Sequence, residues 1–165
     1  MKAFINMNFF TRLLTHCASC ASLPVLFILL TANPQEVRAQ EAFVGKWKGV
    51  ITQNDGGYRS LYDFEMYFRQ VGRNLEGRSY VKVDEIYAEM ELTAFVMDDK
   101  TIQFTEVKIV DSKKVDNLEW CFKSGKLTLV KELGQLKLVG PWEGFSAYGP
   151  CIPGRIILVK EIPRA

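Results

Sequence analysis

The chain has 165 residues, with 21 basic and 19 acidic side chains and a single histidine. Three of the basic residues (Lys2, Arg12, Arg38) and one acidic residue (Glu36) fall within the first 39 positions, so the remainder is formally neutral. The charge therefore gives no argument for a nucleic-acid partner, and residues 40–165 suffice for one domain but not for two.

The N-terminal segment reads as a secretory signal peptide over residues 1–39. Lys2 and Arg12 supply a weakly basic start, Ala21 to Ala32 form an apolar run, and Val37-Arg38-Ala39 offers a small-residue cleavage site before Gln40. The run is about 12 residues long, whereas a membrane-spanning helix needs roughly 20. Cys17 and Cys20 precede the run rather than follow it, which argues against a lipid anchor. Cleavage would remove His16, the only histidine, and leave Cys121 and Cys151. In an oxidising compartment such an isolated pair is most simply a disulfide, with two free thiols as the alternative.

From residue 40 onward the pattern is strand after strand, with apolar and polar residues alternating and almost no helical period. The predicted strands cover 43–53, 61–71, 74–83, 86–97, 101–110, 117–123, 126–131, 135–142 and 155–162. Between them lie turn formers: Asn54-Asp55-Gly56-Gly57, Gly72-Arg73, Asp84-Glu85, Asp98-Asp99, Ser124-Gly125 and Leu133-Gly134. Such short connections dictate sequential antiparallel pairing.

Two turns set the faces. A two-residue turn at Gly72-Arg73 places Val71 opposite Asn74, hence Phe68 opposite Gly77, Met66 opposite Ser79 and Phe64 opposite Val81. The same geometry at Asp84-Glu85 places Val81 opposite Ala88 and Ser79 opposite Met90. One face then carries Tyr62, Phe64, Met66, Phe68, Leu75, Val81, Met90 and Leu92. The other carries Asp63, Glu65, Arg69, Glu76, Arg78, Lys82, Glu89 and Glu91, so one face is buried and one wet. Glu106 depends on the parity of the loop at Asp98-Asp99. An even loop turns it outward and an odd loop turns it inward beside Leu92.

Eight or nine sequential strands with one apolar face and no covering helix must fold onto themselves. The expected fold is all-β, an antiparallel up-and-down meander closed into a barrel, with a two-sheet sandwich as the runner-up. Within it, Val44-Gly-Lys-Trp-Lys-Gly49 recurs as Val139-Gly-Pro-Trp-Glu-Gly144. A large ring flanked by glycines suits a place where a barrel closes and strands approach.

On Gly45-Lys46-Trp47 opening a first strand, followed by a meander, the chain resembles the calycin superfamily of lipocalins, fatty-acid-binding proteins and avidins. The resemblance implies a barrel that binds a small, often apolar ligand. It also implies an Arg from a late strand stacked on Trp47, for which Arg155 is the candidate barrel-end cap. The chain lacks the C-terminal helix and the later motifs of lipocalins and the biotin constellation of avidins. Through Cys151-Ile-Pro-Gly-Arg-Ile-Ile-Leu158 it is also similar to small secreted bacterial proteins with the same C-terminal pattern.

Without histidine the region from residue 40 onward offers no Ser-His-Asp or Cys-His triad and no imidazole metal site, and no metal or cofactor is expected. Glu89, Glu91 and Glu106, on adjacent predicted strands, are candidates for carboxylate acid–base chemistry, and a wet outer face of alternating charges is the expectation for all three. The candidate ligand pocket or core comprises Trp47, Tyr62, Phe64, Met66, Phe68, Met90, Trp120 and Trp142. The segment from Pro141 to Gly154, with Phe145 and Tyr148, is a candidate contact loop. These residues lead to an exported, non-catalytic binding protein holding a small apolar ligand, in the periplasm, on the outer surface or secreted. The alternative is a packed barrel that contacts an envelope or extracellular protein, and a carboxylate hydrolase ranks third.

Overall fold

A computed structural model of the chain describes residues 40–162. The signal peptide expected over 1–39 lies outside the described residues. One helical turn at 40–43 precedes the strands, where the sequence pattern had placed the start of the first strand. The strands are β1 (Gly45–Thr52), β2 (Leu61–Val71), β3 (Asn74–Val83), β4 (Ile86–Val96) and β5 (Thr101–Lys113), then β6 (Phe122–Glu132), β7 (Gln135–Ser146), β8 (Gly149–Pro150) and β9 (Gly154–Lys160).

β1 to β6 pair in sequence, β6 pairs β7, β7 pairs β9, and β9 returns to β1. The result is a closed, antiparallel eight-stranded barrel, with the two-residue β8 attached to β7. The expected barrel forms and the sandwich does not. Closure pairs each of the eight strands on both sides over at least part of its length. The expected strands at 117–123 and 126–131 are a correction. A single strand, β6, runs through Ser124 and Gly125, and residues 117–121 form an irregular approach to it. Gly125 is there for space: a Cβ would lie 2.5 Å from the Pro141 carbonyl oxygen on β7.

Both hairpin registers follow the turn chemistry. Val71 pairs with Asn74, Met66 with Ser79, and Phe64 with Val81 across β2 and β3. Val81 pairs with Ala88 and Ser79 with Met90 across β3 and β4. The inward residues Phe64, Met66, Phe68, Leu75, Val81, Met90 and Leu92 are at most 5% exposed. The outward face carries charge pairs, among them Lys46 and Lys48 on Glu65, each at 2.9 Å, and Arg78 on Glu89 at 3.0 Å. Burial alone would push the Glu65 carboxyl up, but hydrogen bonds and charge from Lys48 and Lys46 bring it below its ordinary value. Such exposed pairs contribute little to stability.

The loop between Val96 and Ile102 is odd in length, so Glu106 stands opposite Leu92 and faces inward. Its outward expectation is thereby corrected. Beyond it β5 bulges twice, leaving Val107 and Val110 without partners on β4, so Lys108 rather than Glu106 pairs with Glu91.

Glycine in the Trp47 motif has a packing role. A Cβ on Gly49 would lie 2.2 Å from the Ile157 carbonyl oxygen on β9, a backbone contact that no side-chain motion relieves. Gly49→Ala is therefore expected to cost about 1–3 kcal/mol, read as a lower urea midpoint at unchanged slope.

Candidate functional site

The two tryptophan motifs fill opposite ends of the barrel. Trp47, at the start of β1, pairs in register with Lys160 near the end of β9. Its ring is fully buried, and its Nε1–H donates to the Phe43 carbonyl at 2.7 Å. The helical turn places Phe43 beneath the barrel, also fully buried, and so closes this end. Lys160 Nζ lies 5.3 Å from the Trp47 ring centroid and donates to the Ala42 carbonyl at 2.7 Å. Partial burial lowers the pKa of this ammonium group. Arg155, expected over Trp47, lies at the opposite end of β9: it pairs with Pro141, and its N–H donates to Thr52 Oγ1 at 3.0 Å. The expected Arg155 stacking on Trp47 is thus corrected: the cation over that ring is Lys160.

At the other end, the inward-facing Glu106 makes a buried ion pair with Lys123. The side chains are 0% and 5% exposed, and Nζ lies 2.9 Å from Oε2. Ser79 Oγ donates to Glu106 Oε1 at 2.5 Å, and the Lys123 backbone N–H donates to Oε2 at 2.8 Å. Lys123 Nζ donates further to the Cys121 carbonyl at 3.1 Å and lies 5.9 Å from the Phe64 ring centroid. Every oxygen of the carboxylate is thus met by a donor, as a buried charge requires.

This pair also ends a ladder. β5 and β6 pair from Thr101 with Thr128 to Thr105 with Ser124. The next pair would be Glu106 and Lys123, but there the backbone N–H turns to the carboxylate. From this point β5 follows β4 as far as Lys113, while Lys123 and Phe122 of β6 stay with Gly144 and Phe145 of β7. The barrel wall splays, and residues 118–121 cross the gap. Cys121 is bonded to Cys151, as the isolated cysteine pair led one to expect, which ties this crossing to the segment before β9.

Inside the splayed end lies a cavity of about 500 Å³. Its floor and walls include Ile51, Val81, Ile86, Trp120, Lys123 and Trp142, all 8% exposed or less. The disulfide, Leu118 and Ile152 line another side, and Tyr58 and Tyr148 stand at the exposed rim. The cavity therefore runs from a buried floor to solvent. Polar groups in its wall are mostly paired. Trp142 Nε1 donates to the Thr52 carbonyl at 2.8 Å, and the Tyr62 hydroxyl donates to Gln53 Oε1 at 2.6 Å. Burial pushes the Tyr62 phenol above its ordinary pKa. Trp120 is different: its Nε1–H is buried with no acceptor among the described residues.

The expected pocket residues separate into two groups. Tyr62, Trp120 and Trp142 line the cavity, while Trp47, Phe64, Met66, Phe68 and Met90 pack solidly below it. Of the expected contact loop, Tyr148 lies on the rim and Phe145 is 63% exposed outside it. The carboxylates expected together are split by the barrel wall, with Glu89 and Glu91 outside on Arg78 and Glu106 inside. Lys123 and Ile86 were missed. Lys123 was legible by counting back in twos from the apolar Leu127, had β6 been read as continuous. No protein-family model matches the chain, and no curated protein matches its sequence.

Removing one partner of the buried pair strands the other. Lys123→Met is expected to lose about 3–5 kcal/mol, and the double variant Glu106→Leu/Lys123→Met to regain most of it. A double-mutant cycle in urea checks this. Cys121→Ser/Cys151→Ser should lose roughly 3–4 kcal/mol by freeing a loop of about 30 residues, read from the shift in thermal midpoint and its calorimetric enthalpy.

Proposed function

We propose that the protein is exported and that its barrel carries a small, largely apolar ligand in the cavity at the Trp142 end. The observation that carries this reading is the cavity itself. Its volume of about 500 Å³ lies in the range of small-molecule sites, and its lining is mainly apolar and aromatic with a few fixed polar groups. The disulfide braces one wall and the buried ion pair another, so the site is preformed and little ordering entropy is lost on binding.

The resemblance to the calycin superfamily supports the same function. The closed eight-stranded antiparallel barrel opened by Gly45-Lys46-Trp47 has one end plugged by that tryptophan and the other hollow. Export is supported by the order of charged, apolar and small residues over 1–39 and by the disulfide between Cys121 and Cys151. No helix among the described residues is long and apolar enough to cross a membrane.

Titration with the apolar fluorophore N-phenyl-1-naphthylamine tests the function. Saturable uptake at one probe per chain is expected. Ile86→Trp, which places a large ring in the cavity, should weaken uptake about tenfold or more while the far-ultraviolet spectrum stays that of the parent. Absence of saturable uptake, or uptake unchanged by Ile86→Trp in a folded variant, would overturn the reading.

A further inference from the structure

Two hydrogen-bond donors on the cavity wall are unspent. Trp120 is 8% exposed, and its Nε1–H meets no acceptor among the described residues. A buried donor without a partner is rare and costly, and an unfilled ligand site is one physical reason for it. Three residues along, the Lys123 ammonium has three N–H groups. One goes to Glu106 Oε2 at 2.9 Å and one to the Cys121 carbonyl at 3.1 Å. The third has no protein acceptor among the described residues, and Lys123 itself lines the cavity.

The charge at this floor is already balanced. Lys123 is matched by Glu106, and Glu119 in the cavity wall is matched by Lys114. A ligand carboxylate would enter as an extra anion beside Glu106, with no unmatched cation to offset its loss of water. A neutral oxygen acceptor meets the free N–H groups without that cost.

We infer that the cavity selects neutral apolar molecules bearing a carbonyl oxygen, which accepts from Trp120 Nε1–H with the Lys123 ammonium group beside it. This rests on the cavity being the ligand site, and it adds the chemical class of the ligand. Hydrocarbons leave the buried donors unpaired, and acids bring an uncompensated charge. The selectivity is therefore built from one unpaired N–H and one neutralised cation.

Three matched naphthalenes test it on the protein isolated from its own host: 2-acetylnaphthalene, 2-isopropenylnaphthalene and 2-naphthoate. The first two differ only by oxygen in place of a terminal methylene. Calorimetric titration should give the ketone about tenfold tighter binding than the alkene, in keeping with the cost of an unpaired buried donor, and the acid the weakest. Trp120→Phe should abolish the ketone's advantage and leave the alkene within about threefold. The bound ketone's carbonyl stretch, recorded on the unaltered protein, should fall below its position in hexane; this readout does not depend on the variant folding. Equal ketone and alkene affinities with an unshifted stretch would overturn the inference and leave the carrier function standing, as would an acid that binds tightest. Failure of all three to bind would remove both.

Discussion

A carboxylate inside a small β-barrel is the constraint around which this molecule is organised. Glu106 is carried inward by the strict two-residue alternation of β5, on the same face as the fully buried Ile102 and Phe104. Once there it must be met on both oxygens, and Ser79 of β3 and Lys123 of β6 do so. The three donors come from strands separated widely in sequence, so the charge fixes register across the barrel. Such a pair adds little net stability over a well-packed apolar substitute. Its effect is geometric: it takes the backbone N–H that would have continued the β5–β6 ladder, and the wall opens from that point.

The opening makes the two ends of the barrel unlike. Below Glu106 the interior is filled by Phe64, Met66, Phe68, Met90 and Trp47, with Phe43 as the plug. Above it, the splayed strands leave space that the residues 118–121 cover without filling, held by the disulfide. A barrel of about eight strands is just wide enough to be packed or to hold one small ligand. This one does the first in its lower half and has room for the second in its upper half. Trp47 and Trp142, though set in hexapeptides alike at four of six positions, serve these two different halves.

Much of this was legible because short hairpin turns convert sequence into register. Gly72-Arg73 and Asp84-Glu85 placed the inward and outward residues of β2 to β4 correctly, because a two-residue turn leaves no freedom of parity. The limits were equally physical. Ser124-Gly125 has the composition of a turn, but the glycine is required by the close approach of β7, so β6 was split and the inward position of Lys123 was lost. The parity of the loop at Asp98-Asp99 could not be counted, so Glu106 was left to the usual habit of glutamate. The cation over Trp47 came from analogy rather than register, and Lys160 stands where Arg155 was expected. A cavity is harder still, since emptiness depends on which side chains fail to meet and leaves no pattern in the chain.

The central claim is that this emptiness is a ligand site whose lining carries an unpaired indole N–H, that of Trp120. The most direct measurement is the proton–nitrogen correlation spectrum of the three tryptophan indoles during titration with 2-acetylnaphthalene. The account predicts a saturable downfield shift of the Trp120 resonance, a smaller change at Trp142, whose N–H is already bonded to Thr52, and none at Trp47 in the closed end. Three indole signals that stay in place through the titration, or a shift confined to Trp47, would contradict it.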